Sequence, residues 1–118
     1  MRWAVAIVTG LLAAAVAWYF ELPRQLGAHP FWAEQVIFWG APVGIVLGVI
    51  CAPLQYAIRT GSILFLAGVA YAVAHVGKTR FAASYAEDAF AGQMWFFGWH
   101  ATIAFFVAGI VSAALIKR

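Results

Sequence analysis

Four long apolar runs separated by short polar stretches organise the chain, at residues 3–20, 31–54, 60–77 and about 90–116. None alternates polar and apolar positions, as a strand lining a membrane barrel would. Each run lies near or above the ~20 residues that a helix needs to cross a ~30 Å hydrocarbon layer. In lipid, a helix also satisfies its own backbone groups, so four spanning helices are the expected elements. The second and fourth runs are longer than a span requires, which predicts tilt or an interfacial first turn.

The connectors fit this division. "ELPRQLGAHP" (21–30) and "KTRFAASYAED" (78–88) read as aqueous loops, with Pro23, Gly27 and Pro30 as breakers. Pro30 suits the first turn of the second span, where a missing N–H is harmless. "YAIRTGS" (56–62) reads as a tight turn around Arg59 and Gly61, making the second and third spans antiparallel neighbours. Trp3, Trp18, Tyr19, Trp32, Tyr56 and Tyr85 fall near predicted span ends, where an aromatic belt belongs.

Composition strengthens the membrane reading. Of 118 residues, 66% are hydrophobic and 9% charged, more apolar surface than so small a soluble domain can bury. The net charge of +3 is scattered, which excludes a nucleic-acid surface. Cys51 is the single cysteine, so there is no internal disulfide, redox pair or cysteine-rich zinc site. The fold class expected is an all-α integral membrane protein, a single four-helix transmembrane bundle over 1–118.

Arg2, Arg59, Lys117 and Arg118 against Arg24, Lys78 and Arg80 give a small positive-inside bias for both termini in the cytoplasm. All four acids, Glu21, Glu34, Glu87 and Asp88, then fall outside. The location expected is a bacterial inner membrane. "MRWAVAIVTGLLAAAVAW" also has the basic, apolar and small-residue succession of a signal peptide, but its apolar run is long for one. A faint echo, "AVAW" then "WAEQ" against "AVAH" then "YAED", hints at two similar hairpins.

Small residues form stripes. Gly40, Gly44, Gly48 and Ala52 recur every fourth residue, and Ala104, Ala108 and Ser112 form a matching stripe on the fourth span. Gly10 with Ala14 and Gly68 with Ala72 mark the first and third spans. In lipid, helices associate by close packing, which small residues allow. The stripes are therefore read as contact surfaces rather than a pore lining. Pro42 and Pro53 are expected to kink the second span and to free the carbonyls of Phe38 and Val49.

Ionisable groups at depth are the default site candidates. His100, His75, Tyr71, Glu34 and Gln93 all fall in the outer half, where they form a candidate intramembrane polar site. Two histidines suit the axial positions of a haem, histidine with Glu34 or His29 suits copper or zinc, and His100, His75 and Glu34 suit a proton relay. Against these stands a neutral His100 bonded within the bundle, with His75 reaching the interface. The aromatics Met94–Phe97, Trp99, Phe105 and Phe106 suit a quinone, a pigment or lipid tails. The residues single out no cofactor and no metal.

No nucleotide loop, hydrolase set or metalloprotease helix is present. The chain is similar in size to small multidrug exporters, but Glu21 follows the first span instead of lying within it. The function expected is an accessory or scaffold subunit of a membrane complex, held by small-residue helix faces. The alternative is a small homo-oligomeric transporter or channel using His100 and Glu34. Expected partners are membrane lipid and either further copies or other membrane subunits, without nucleic acid.

Overall fold

A computed structural model describes residues 2–115. The chain is helical, with α1 at Arg2–Tyr19, α2 at Leu22–Gln25, α3 at Ala33–Ile50, α4 at Tyr56–Ala83 and α5 at Ala89–Ala114. All but the four-residue α2 are long and apolar enough to cross a membrane. At 1.5 Å per residue, α4 and α5 extend for roughly 42 and 39 Å, longer than a ~30 Å hydrocarbon layer.

α5 is the hub. It packs against α4, α3 and α1, whereas α3 and α4 scarcely touch. The expectation that the second and third spans are neighbours is therefore overturned: α5 lies between them. The bundle is a flattened body with Cα extents of 52 × 27 × 17 Å. So thin a body leaves much apolar surface outside, including Phe65, Trp39 and Ile50. Its core is made of small and branched side chains: Ala6, Val36, Ala74, Val107 and Val111.

The connector at 56–62 is also corrected. These residues form the first turns of α4, capped by the Gln55 side chain, which accepts from the Ile58 N–H at 2.8 Å. The reversal comes earlier, at 51–55, where Pro53 lacks the N–H needed to prolong α3. Pro53 accordingly makes no kink, and the Val49 carbonyl accepts from the Ala52 N–H at 3.1 Å. Pro42 does lie within α3.

Residues 78–83 belong to α4 rather than to an aqueous loop. α4 stops in a Schellman arrangement: the Ala86 N–H reaches the Phe81 carbonyl at 3.0 Å, and the Tyr85 N–H reaches Ala82 at 3.1 Å. Tyr85 and Ala86 take the left-handed conformation at φ 58° and 67°, a role usually filled by glycine. Asp88 then caps α5 by accepting from the Ala91 N–H at 3.0 Å. Within 21–30, Pro23 and neighbours form α2, and α3 starts at Ala33, beyond Pro30.

Candidate functional site

One charged residue is buried among the described residues. Arg59, read from the sequence as a turn residue, is 3% exposed in the first turn of α4. Its Nε donates to Ser112 Oγ at 2.8 Å, and Nη1 donates to the carbonyls of Ala52 and Leu54 at 2.8 and 3.0 Å. Nη2 donates to the carbonyls of Ser112, at 3.2 Å, and Leu115. The five contacts match the five N–H donors of a guanidinium.

The charge balance follows from the fold. The acceptors lie just beyond the end of α3 and at the end of α5, and each helix C-terminus carries about half a negative charge. Two such ends offset one guanidinium, and no carboxylate among the described residues pairs with it. Thr60 Oγ1 lies 2.7 Å from Ser112 Oγ, and the Tyr56 ring lies 5.1 Å from the guanidinium. Arg59 thus ties the α3–α4 turn to the end of α5. A buried arginine was legible only as a charge near a span end; its partners are backbone groups that carry no residue-type signal.

The glycine stripe of α3 lies along α5. A Cβ on Gly44 would meet the Ala104 carbonyl oxygen, Val107 Cβ at 2.9 Å and Ala108 N at 3.1 Å. Cβ atoms on Gly40 and Gly48 would meet Ile103 and Val111, each at 2.9 Å. Gly10 of α1 likewise faces Val111 and Val107. The sequence reading missed a second seam, between α4 and α5. There a Cβ on Gly77 would come within 2.5 Å of Trp95 N, and one on Gly98 within 2.9 Å of Ala74. Gly98 and Gly109, about three turns apart, were its available signal. The stripe of α4 differs: a Cβ on Gly61 or Gly68 would meet nothing within 4 Å among the described residues.

The five polar candidates separate. Tyr71 and His75 stack at 6.4 Å, Tyr71 lies edge-on to Trp99 at 5.5 Å, and the Tyr71 hydroxyl donates to the Leu26 carbonyl at 3.3 Å. His100 is half-buried, bonds through Nδ1 to the Phe96 carbonyl at 2.9 Å, and lies 4.5 Å from the Phe96 ring. That carbonyl can only accept, so Nδ1 carries a proton and donates. Nε2 has no hydrogen-bond partner among the described residues. Glu34 is exposed beside the Glu21–Arg24 ion pair, and Gln93 is exposed on α5. Among the described residues no group of three or more His, Cys, Asp or Glu is placed to hold a metal.

The aromatics gather at the end opposite Arg59. Trp95 donates to the Gly27 carbonyl at 2.9 Å and meets Trp32 and His29, each at 5.4 Å. Trp32 in turn meets Phe96 at 5.1 Å. These contacts hold the segment between α2 and α3 against α5. Lys117 and Arg118, invoked for orientation, lie outside the described residues. Comparison with protein-family models, curated proteins and solved structures found no match.

Proposed function

We propose that the chain is an integral membrane subunit of bacterial inner-membrane type, with four spans and both termini on the cytoplasmic side. In this reading it acts as an accessory or scaffold component that packs a partner helix against the outer face of α4. The carrying observation is the unequal use of the small-residue stripes. Those of α1, α3 and α5 are filled within the chain, whereas Gly61 and Gly68 of α4 face open space among the described residues. With Ala57 and Ala72 they make two small-xxx-small pairs on one exposed face.

Native mass spectrometry from mild detergent tests this. An assembly containing a chain of different mass supports the subunit reading. Gly61→Leu is expected to dissolve that assembly while leaving the helix content unchanged. A strictly monomeric chain in native membranes, insensitive to Gly61→Leu, overturns it. A second reading, a homo-oligomeric transporter using His100 and Glu34, draws on the bare Nε2 of His100. An assembly of identical copies that conducts, and stops conducting in His100→Ala, supports it instead.

A further inference from the structure

We propose that the cleft between α1 and α4 is a binding site for an uncharged, chain-bearing quinone whose carbonyl accepts from the indole N–H of Trp99. The proposal rests on the membrane reading above, but not on any partner chain.

Two cavities of about 390 Å³ each adjoin at Leu22 and Phe106, which line both, and together they make up the cleft. α5 floors it from Trp99 to Ile110, which at 1.5 Å per residue is roughly 16 Å. Such a length suits a head group with an extended tail. Among the described residues no charged side chain lines either part. The hydroxyls along it already donate within the chain: Tyr71 to Leu26, Thr102 to Gly98 at 2.7 Å and Thr9 to Val5 at 2.7 Å.

Trp99 is the exception. It is 3% exposed, yet its N–H makes no hydrogen bond among the described residues. No fully buried side-chain nitrogen or oxygen among the described residues lacks a partner. The Trp99 N–H is therefore not fully enclosed, and Trp99 lines this cleft, so we assign the N–H to the cleft. An indole N–H can only donate, so the missing group is an acceptor.

Depth selects among acceptor-bearing lipids. Trp99 lies ten residues, roughly 15 Å, into α5. Sliding a ~30 Å hydrocarbon layer along a roughly 39 Å helix keeps Trp99 at least ~6 Å inside it. A phosphate head would lose its hydration there, and an acyl tail alone offers no acceptor. A quinone ring is neutral, flat and bears carbonyls. The Tyr71 ring, edge-on to Trp99 and stacked with His75, gives the head an aromatic wall.

The test is calorimetric titration of the full chain in phosphatidylcholine nanodiscs with a short-tailed alkyl benzoquinone, against empty nanodiscs. Saturable binding is expected. Trp99→Phe, which keeps a ring and removes the N–H, should weaken it about three- to tenfold, the worth of one hydrogen bond. Gly68→Leu adds a side chain where nothing lies within 4 Å, fills the cleft rim, and should weaken binding by more than about tenfold. Gly61→Leu, on the same helix but outside the cleft, should leave binding unchanged. It thereby separates this site from the part of the partner face around Ala57 and Gly61, Gly68 being common to both. An alkylbenzene of equal tail length should bind more weakly and be indifferent to Trp99→Phe. Partition equal to that of empty nanodiscs, or equal affinity in Trp99→Phe, would overturn the proposal.

Discussion

Replacing Arg59 by methionine should destabilise the fold more than any other single side-chain truncation at that end of the bundle. The variant keeps an unbranched apolar stem and loses all five donors. Counting each lost bond at the ~1.5–3 kcal/mol of a charge-assisted contact would give roughly 8–15 kcal/mol, which is too much. The native guanidinium itself lost its hydration on burial, and the freed carbonyls near the helix ends recover part of theirs from water. A buried acceptor left without its donor costs about 1–3 kcal/mol, so with most of the five recovering water we expect Arg59→Met to cost about 3–5 kcal/mol. Arg59→Lys keeps the charge but offers three donors without a planar fork, so about 2 kcal/mol should be lost.

Ser112→Ala removes one acceptor and should cost about 1 kcal/mol. Combined with Arg59→Met it should add less than the sum, because the shared contact is lost only once. The assay is reversible unfolding in mixed mild and denaturing micelles, followed by circular dichroism. Arg59→Met within about 0.5 kcal/mol of the parent chain, the range of an unremarkable surface change, would refute the clasp.

Three further outcomes follow from the packing. Gly44→Ala places a Cβ against the Ala104 carbonyl and Ala108 N, backbone atoms that cannot rotate away, and should cost about 1–3 kcal/mol in the same assay. Tyr85→Gly relieves a left-handed residue whose side chain is 91% exposed, and should stabilise by about 1 kcal/mol. His100→Ala removes a bond to a carbonyl of its own helix, and should cost about 1 kcal/mol or less.

The four long helices were legible because twenty-odd apolar residues leave little choice of structure. Their ends were less so. α4 outruns its apolar stretch at both ends because Gln55 and the Schellman turn at Tyr85 set its limits, and neither carries the usual glycine or proline mark. Neighbour relations were invisible too: a short connector suggested that α3 and α4 pack together, yet Gly77 and Gly98 bring α4 onto α5. The glycine stripe of α3 was readable as a contact surface, since its spacing places it on one face. The polar candidates on different helices were grouped by estimated depth alone. Depth says nothing of azimuth, so only Tyr71 and His75, one turn apart on α4, meet, while His100 bonds within its own helix. Arg59 was misread because charge suggested water, whereas helix-end carbonyls satisfy it as fully.

Insertion of four helices across a bilayer underlies every inference above, and labelling of single cysteines with a membrane-impermeant maleimide tests it most directly. With Cys51 changed to serine, Gln55→Cys in the α3–α4 turn and Ala86→Cys in the α4–α5 turn should react from opposite faces of sealed vesicles. Ala104→Cys, buried in mid-helix, should react from neither. Labelling of both turns from one face, or recovery of the chain in a detergent-free soluble fraction, would contradict the account.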